Sequence, residues 1–317
     1  MAIDADRLGR VARRVKLRDM KVFHAVAHAG SMAKAASELV VAQPVVSKTI
    51  KALEQSLGVR LFDRSSTGIE LTGYGQVLLA KTRVVFAEIE EAIKGIEFLK
   101  DPTVGEVRIA SPESMTIGLL PLIIDRFAAA HPGAVLQVLQ ANAFPLDFHM
   151  LRERKVDMML GRIAPQFKEP DLEAEVLFQE QLVAVVGRRH ALARKRSVRL
   201  SELLDAKWIL APADTAAGSL WAEAFHAMGL PLPKVAISTF SMNLRNSLIA
   251  SGRYVTMMPQ SVWRFTAKNS SAVVLPMKLE LQPAPVAIVT IKGRSLSPMV
   301  ARFADAIRLE CKAQGLK

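Results

Sequence analysis

The stretch that decides the fold is GSMAKAASELVVAQPVVSKTIKALEQSLGVRLFDRSSTGIEL, residues 30 to 71. Gly30 can end a preceding helix, and Ser31 can cap the next one because its hydroxyl accepts a free backbone N–H. Pro44 is tolerated in the first turn of a further helix, where its missing N–H costs nothing. The stretch therefore predicts two short helices joined by a tight turn, the outline of a helix-turn-helix.

The second of these helices has two separate faces. An apolar stripe at helical spacing predicts the buried face: Val46, Ile50, Leu53 and Leu57. The other face carries only hydrogen-bonding groups, cations and one proline: Gln43, Pro44, Ser47, Lys48, Lys51 and Gln55. Amides and hydroxyls recognise base edges in the major groove, and lysines meet phosphates. This face predicts a DNA-reading helix.

A small basic hairpin follows. Residues 59–62 and 69–72 are predicted strands around a tip at residues 65–68. Arg64 lies beside this tip, where a guanidinium can enter a minor groove. A lysine-bearing helix alone would indicate only a solvated basic face, but the ordered series of cap, turn, helix and hairpin favours a winged DNA-binding module.

Length and charge agree with a DNA-binding protein of two or three domains. The chain has 317 residues, half of them hydrophobic, and a formal net charge of +12. Residues 1–66 hold 12 Lys plus Arg against 6 Asp plus Glu, an asymmetry that favours DNA as the partner. A further basic cluster is interpreted as a solvated loop: Arg188, Arg189, Arg194, Lys195, Arg196 and Arg199.

The compartment is inferred from cysteine usage and from the absence of targeting signals. Cys311 is the one cysteine of the sequence, so no intrachain disulfide forms and a reducing compartment is natural. The first residues are charged, and no apolar run reaches membrane-spanning length. We expect a soluble cytoplasmic protein without a membrane partner.

A heptad-like seam follows the DNA-binding stretch: Leu78, Thr82, Val85, Ile89, Ala92, Ile96 and Leu99. The alternative is packing within one domain, but we favour a helix that pairs two subunits. Two recognition helices would then meet two half-sites of double-stranded DNA. Asp101 and Pro102 end this helix, because a residue before proline is disfavoured in helical geometry.

From Thr103 the pattern changes to alternating strands and helices, which predicts an α/β fold with a parallel sheet. A first set of elements is predicted over residues 104–110, 115–130, 135–140, 144–154 and 156–161. A second set is predicted over residues 182–186, 208–210, 220–228, 235–239, 244–250 and 254–257. A strand over 286–291 and a helix over 298–312 are expected to return to the first set.

Ligands of open α/β sheets bind beyond the carboxyl ends of the strands. The candidate effector-binding residues follow predicted strands or begin the helices after them: Ser111, Glu113, Ser114, Asn142, Arg162, Thr215 and Ser241. Each also has a purely structural interpretation as a helix cap, a turn residue or an ion-pair partner. Arg162 would suit a carboxylate or phosphate, whereas Glu113 would favour hydroxyl or amine groups, so the ligand class stays open.

Residues 17–75 closely resemble the N-terminal winged helix-turn-helix of LysR-type transcriptional regulators. The resemblance lies in Phe23, Gly30-Ser31, Ala35-Ala36, Leu39, Gln43-Pro44, Val46-Ser47, Leu53-Glu54, Leu57-Gly58, Leu61-Phe62, Arg64, Leu71-Thr72 and Gly75. It implies DNA contacts by Gln43, Pro44, Ser47, Lys48 and Arg64, to which we add Ser31 and Lys51. Ala42 departs from the family pattern, which usually has a capping serine there, so a cap worth about 1 kcal/mol is either missing or taken over by Gln43. Thr67 replaces a basic wing residue, and Tyr74 replaces a small one.

Residues 105–121 resemble the opening of the effector domain of the same family, which has two α/β lobes of the periplasmic-binding-protein type. The resemblance implies a linker helix that dimerises the DNA-binding domains, and a dimer or tetramer overall. We predict a DNA-binding domain over 1–74, a linker helix over 75–102 and an effector domain over 103–317. Lobe I would comprise 103–163 and 268–317, and lobe II 164–267.

The sequence contains two motifs that also occur in enzymes, but neither lies in the surroundings that catalysis or metal binding needs. Residues 31–34 spell S-x-x-K but open a helix of the DNA module, and His24 and His28 lack a third metal ligand. We predict no catalysis, no metal and no cofactor.

The predicted function is that of a LysR-type regulator that binds promoter DNA, responds to a small-molecule effector and can contact RNA polymerase. One alternative is an architectural DNA-binding regulator that needs no effector. Another is a small-molecule-binding protein with a vestigial DNA module, which salt-insensitive or absent DNA binding would favour.

Overall fold

The structure is a computed structural model that describes residue 11 and residues 13–65, 68–141, 146–267 and 271–316. The chain divides into two compact units, Met1–Ala92 and Ile93–Lys317. Within the described ranges, none of the helices combines the length and the apolar character that a membrane span needs.

The first unit is a winged helix-turn-helix. Its elements are α1 (Leu17–Ala29), α2 (Met32–Glu38), α3 (Gln43–Leu57), β1 (Phe62–Ser65), β2 (Gly68–Leu71) and the first part of α4 (Gly73–Lys100). Gly30 ends α1 at a φ of 60°, and the Ser31 hydroxyl caps α2 by accepting the Lys34 N–H at 3.5 Å. The predicted stripe of α3 is buried at Val46, Ile50 and Leu53, which pack with Phe23 and Phe62.

The turn between α2 and α3 contains a strained residue. Val40 has a φ of 55°, and its side chain is 89% exposed. A β-branched residue rarely adopts this left-handed conformation. The next helix, α3, begins after Ala42 without a side-chain cap, so the position that departs from the family pattern leaves this helix start uncapped.

The wing begins later than the sequence predicted. β1 covers Phe62–Ser65 rather than residues 59–62, and it pairs antiparallel with β2. The reason is Glu54, whose carboxylate accepts the backbone N–H groups of Leu61 and Phe62 and thereby ties this segment to α3. The predicted tip residues Ser66 and Thr67 lie outside the described residues.

The second unit contains two sheets, each with helices against it. Lobe I contains β3 (Val104–Ser111), α5 (Glu113–Thr116), α6 (Leu119–Ala130), β4 (Gly133–Gln140), α7 (His149–Arg152), β5 (Met158–Arg162), β6 (Leu172–Glu180), β12 (Ala284–Ile291) and α11 (Pro298–Ala313). Its strand order is β4-β3-β5-β12-β6. The sheet packs against α6 and α11 through an apolar core that includes Ile109, Phe127 and Phe303.

Lobe II lies between the two parts of lobe I in the chain. It contains β7 (Leu182–Gly187), β8 (Trp208–Leu210), α8 (Ala216–Ala227), β9 (Val235–Ser238), α9 (Met242–Ile249), β10 (Val255–Pro259), α10 (Gln260–Thr266) and β11 (Ala272–Val274). Its strand order is β11-β7-β10-β8-β9. Trp208, Trp221 and Phe225 pack edge to face in its core.

The prediction of a parallel sheet was only partly correct, because both sheets are mixed. β3 runs parallel to β4 and β5, whereas β12 runs antiparallel to β5 and β6. The cause is the crossing of the chain between lobes. β5 ends at the inter-lobe cavity described below, and β12 begins where the chain returns from lobe II, so these neighbours run in opposite directions.

The crossings also correct the predicted lobe boundaries. The sequence places residues 172–180 in lobe II, but β6 pairs with β12 in the sheet of lobe I. It places residues 272–274 in lobe I, but β11 pairs with β7 in lobe II. The chain therefore crosses at Gln181 and again between β11 and β12.

Two predicted helices differ from the observed ones. The helix predicted over 115–130 is broken into α5 and α6 at Gly118, where a side chain would lie 3.0 Å from the Ser114 carbonyl oxygen. The helix predicted over 144–154 is limited to α7 among the described residues, and 142–145 lie outside them. The sequence did not predict β6, α10 or β11.

Candidate functional site

The outward face of α3 presents the predicted DNA-contacting groups. Gln43, Pro44, Lys48 and Lys51 are exposed, and Ser47 is half-buried. The opposite stripe of the helix is buried in the core of the unit, so the polar face cannot turn inward. The geometry leaves amide, hydroxyl and ammonium groups on one accessible side of a helix, as major-groove reading requires.

The remaining predicted DNA-binding residues are placed differently. Ser31 is half-buried, and its hydroxyl is engaged in the cap of α2. Arg64 lies on β1 opposite Ile69, but its side chain lies outside the described residues.

The predicted dimerisation seam is partly buried and partly exposed along α4. Leu78 packs against the core of the first unit, and Thr82 is buried with its hydroxyl donating to the Leu79 carbonyl. The other seam residues are exposed: Val85, Ile89, Ala92, Ile96 and Leu99. Ile93, outside the predicted seam, is exposed as well.

A cavity of about 460 Å³ lies between the two lobes of the second unit. The carboxyl ends of β4, β5, β8 and β10 border it through Gln140, Arg162, Leu210 and Met257. Its apolar wall includes Leu220, Trp221 and Phe240. This is the location expected for a ligand of an α/β fold, and the volume suits a small organic molecule.

Arg162 brings a buried cation to the cavity. It is 8% exposed, and burial lowers the pKa of its guanidinium while Glu180 acts in the opposite direction. Glu180 is itself buried, and its carboxylate accepts the N–H and O–H of Ser261. Burial raises the pKa of Glu180. Arg162 also borders a second cavity of about 540 Å³, together with Lys278 and Gln282.

Arg245 adds a second buried cation that the sequence did not single out. It is 7% exposed, and its guanidinium donates to the carbonyl oxygens of Met257 at 3.3 Å and of Thr239. Burial lowers its pKa to about 10, Glu113 opposes that shift, and Arg162 adds to it. The two buried arginines offer guanidinium donors to an anion in the cavity, and Glu180 and Glu113 offset their charge in its absence.

Glu113 borders the cavity, but it does not cap its own helix. Its carboxylate accepts the backbone N–H of Met242 at 2.9 Å and that of Asn243 at 3.0 Å. Glu113 belongs to lobe I, whereas these amides begin α9 of lobe II. The carboxylate therefore joins the lobes across the cavity.

The other predicted effector residues have mixed placements. Ser114, Thr215 and Ser241 border the cavity, and the last two also cap α8 and α9. Ser111 is buried outside the cavity lining, and its hydroxyl donates to the Leu160 carbonyl at 2.7 Å. Asn142 lies outside the described residues. Of the seven predicted residues, five are brought to one cavity: Glu113, Ser114, Arg162, Thr215 and Ser241.

Metal-ligating side chains and one histidine pair were the remaining candidates for a reactive site. Among the described residues, no cluster of three or more His, Cys, Asp or Glu side chains is arranged to hold a metal ion. His24 and His28 stack with ring centroids 4.7 Å apart, and burial lowers the pKa of His24.

The helix-turn-helix unit and the two-lobed unit with its inter-lobe cavity are typical of a DNA-binding regulator with a ligand-binding domain. Two family models match the chain accordingly. Residues 17–76 match the bacterial regulatory helix-turn-helix protein, lysR family, and residues 100–312 match the LysR substrate binding domain. The chain belongs to the LysR family of transcriptional regulators, whose members are typically modulated by effectors.

Individual relatives can be aligned with this chain over nearly its full length. The HTH-type transcriptional regulator YdcI of Escherichia coli K12 is 28% identical, over 94% of this chain and 96% of its own. The transcriptional dual regulator GltC of Bacillus subtilis is also 28% identical, over 92% of this chain and 96% of its own. The crystal structure of CbnR, a LysR family regulator, is 25% identical with a TM-score of 0.54, covering 93% of this chain and 100% of CbnR.

Full-length OxyR from Pseudomonas aeruginosa shares the fold. Its TM-score is 0.64 at 21% identity, and the match covers 94% of this chain and 95% of OxyR.

Proposed function

We propose that this regulator senses a small organic anion in the inter-lobe cavity and transmits its presence to promoter binding by α3. The observation that carries this proposal is the pair of buried arginines, Arg162 and Arg245, beside an apolar wall in one cavity. Arginine is suited to this task because its planar guanidinium forms paired hydrogen bonds to carboxylates and phosphates.

The ligand test is a thermal-shift screen of the full chain against organic acids, phosphorylated metabolites and their uncharged amides. A ligand that binds the native state raises the melting temperature. We expect stabilisation by an acid but not by its amide, and loss of the shift in Arg245→Met and Arg162→Lys. Arg253→Met, on an exposed residue of lobe II, is the matched control.

A full-chain protein that binds its promoter yet responds to none of these compounds would favour the architectural alternative. Because DNA binding and the thermal shift are measured on the same preparation, a misfolded sample cannot account for the missing ligand response.

For DNA, we propose contacts by Ser31, Gln43, Pro44, Ser47, Lys48, Lys51 and Arg64. The exposed polar face of α3 supports this assignment. The test is a gel-shift titration against DNA upstream of the protein's own gene, with random DNA as competitor. Ser47→Ala and Arg64→Ala should weaken specific binding; if neither changes it, the residue assignment is wrong.

We propose that α4 pairs two subunits through the exposed part of the seam, so that the active form is a dimer or a tetramer. Ile89→Asp should shift the sedimentation coefficient toward that of the monomer, since a carboxylate would be buried against a second apolar seam. Gln76→Asp places the same charge on an exposed position away from the seam and should leave assembly intact.

The rest of the proposal follows from the family. The DNA-binding domain would span 1–74, the linker helix 75–102 and the effector domain 103–317. The protein would act in the cytoplasm, where bacterial promoters are, contact RNA polymerase there, and carry out no catalysis of its own.

A further inference from the structure

We propose that Glu113 is a built-in occupant of the anion site, and that the effector is a carboxylate that binds by displacing Glu113 from the start of α9. This inference rests on the proposed effector role of the inter-lobe cavity, and it specifies both the ligand class and the step that couples binding to the lobes.

The first support is the pairing of one carboxylate with two helix-start amides. Oε2 of Glu113 accepts the Met242 N–H at 2.9 Å, and Oε1 accepts the Asn243 N–H at 3.0 Å. The first amides of a helix have no acceptor within the helix, and the helix dipole makes that end attractive to anions. Glu113 thus makes the contact that a ligand carboxylate would make.

The third backbone N–H of α9 already has a hydrogen-bond acceptor. The Ser241 hydroxyl accepts the Leu244 N–H at 3.2 Å, so the amides of Met242 and Asn243 are the ones that need an outside acceptor. α9 extends over Met242–Ile249, and both its cap residue Ser241 and Met242 border the cavity. A ligand in the cavity therefore has direct access to the pair of amides that Glu113 now occupies.

The second, independent support is Arg245. This side chain is 93% buried and borders the same cavity, yet within the described part of the chain its Nε makes no hydrogen bond. A buried donor without an acceptor costs free energy that a bound anion would recover. Glu113 opposes the lowering of the Arg245 pKa, so a carboxylate at this position favours the buried guanidinium as well as the α9 amides.

Displacement follows from the limited number of donors. A ligand carboxylate that approaches the Met242 and Asn243 amides meets the negative charge of Glu113 on the same two donors, and two carboxylates there repel each other. One of them must leave. Because Glu113 is on lobe I and the amides are on lobe II, binding replaces a contact between lobes with a contact to ligand. Effector binding thereby removes a contact that holds the two lobes together.

The apolar wall specifies the rest of the ligand. Leu210, Leu220 and Trp221 are apolar and border the cavity, so the carboxylate is expected to carry an apolar body. The ligand class is therefore an organic carboxylate with an apolar body, one carboxylate of which takes the amide pair of α9.

The experiment is hydrogen–deuterium exchange of the full chain, read on peptides that cover Met242 and Asn243. In Glu113→Ala these two amides should lose protection, because their acceptor is gone. Acetate or propionate should then restore protection in a saturable manner, whereas acetamide at equal concentration and sodium chloride at equal ionic strength should not. Glu173→Ala, an exposed glutamate on β6, should leave the exchange unchanged.

The affinities give a second readout. Propionate should bind Glu113→Ala about tenfold or more tightly than the wild type, since it no longer competes with an internal carboxylate. Glu113→Asp separates competition from simple repulsion. Its shorter side chain keeps the charge but loses the paired contact, so it should also bind propionate more tightly than the wild type.

Three results would overturn the inference. Unchanged protection in Glu113→Ala would show that the contact does not hold α9. Lost protection without rescue by acetate or propionate would reduce Glu113 to a structural cap. Equal propionate affinity in the wild type and both variants would exclude competition. Each differs from failure of the proposed function, in which Arg245→Met would leave every ligand-induced thermal shift intact.

Discussion

The carboxylate of Glu54, on α3, accepts the backbone N–H of Leu61 at 2.8 Å, and the same oxygen accepts that of Phe62 at 3.4 Å. These amides precede and begin β1, so the DNA-reading helix and the wing are joined by one side chain. A wing that moves with the helix can keep a fixed spacing between its contacts and those of α3. We therefore expect Glu54 to support DNA binding although it lies away from the exposed polar face of α3.

We predict that Glu54→Ala lowers the free energy of unfolding of the first unit by about 1–3 kcal/mol, because two partly buried amides lose their acceptor. Thermal unfolding followed by circular dichroism measures the stability, and gel shift measures the expected weaker DNA binding. Glu70→Ala, an exposed glutamate on β2, is the control and should change neither. Unaltered stability of Glu54→Ala would contradict this role.

Val40 offers a stabilising substitution. Its φ of 55° is unfavourable for a β-branched residue, and its side chain is almost fully exposed, so little packing is lost on replacement. Val40→Asn should raise the free energy of unfolding by about 1 kcal/mol, since asparagine tolerates the left-handed conformation. Val45→Asn, on an exposed helical valine, should bring no such gain in urea denaturation.

Lys51 and Gln43 should differ in how their loss affects DNA binding. If Lys51 meets a phosphate, Lys51→Ala reduces the slope of log affinity against log salt by about 0.9 and weakens binding to all sequences alike. Gln43→Ala should instead relax sequence preference at unchanged slope. Fluorescence anisotropy at several salt concentrations measures both, with Lys155→Ala of the second unit as the control. A full wild-type slope in Lys51→Ala would remove this lysine from the interface.

Cys311 should give the stability an alkaline pH dependence. Burial, with a smaller effect of Glu310, raises the pKa of its thiol to about 12, whereas an unfolded thiol ionises near its ordinary value of 9.0. The unfolded chain therefore releases this proton first, and stability is lost as the pH rises between these two values. The loss is at most about 1.4 kcal/mol per pH unit.

Cys311→Ala removes the titrating group and serves as the reference. The difference in free energy of unfolding between wild type and variant should decline above about pH 9. Mass spectrometry after iodoacetamide treatment at pH 8 should find the native thiol unmodified and the unfolded thiol modified. Rapid alkylation of the native protein would show that the thiol is accessible.

The helix-turn-helix could be predicted from the sequence because its determinants are local. The cap at Ser31, the glycine at 30 and the stripe through Val46 and Ile50 each act within one or two turns of helix. The start of the wing could not be predicted in this way, because it depends on Glu54, seven residues before Leu61 and on another element.

The cavity was predictable in location but not in its decisive contacts. The rule that ligands bind beyond strand ends identified Arg162, which follows a recognisable apolar run. Arg245 lies inside a helix, where no local pattern distinguishes a buried arginine from a solvated one. The partner amides of Glu113 are 129 and 130 residues away, so only the fold brings them together.

β6 was not predicted because its alternation is interrupted. Leu172, Phe178 and Glu180 are buried and the charged or polar Glu173, Glu175 and Gln179 are exposed, but the apolar Val176 is exposed as well, and the pairing with β12 shifts register beside it. The buried Glu180 interrupts the apolar pattern at the point where the chain leaves lobe I. The carboxylate of Glu180 also accepts the hydrogen bonds that Ser261 donates.

The position of β12 has a consequence for how the protein is made. This strand lies between β5 and β6 in lobe I, yet it is translated after all the strands of lobe II. On the ribosome, lobe II can complete its sheet while lobe I still lacks an interior strand and the helix α11 that covers it. The first lobe to begin synthesis is therefore the last to become whole, and a nonsense codon between residues 275 and 283 leaves every strand of lobe II but removes β12 and α11 from lobe I.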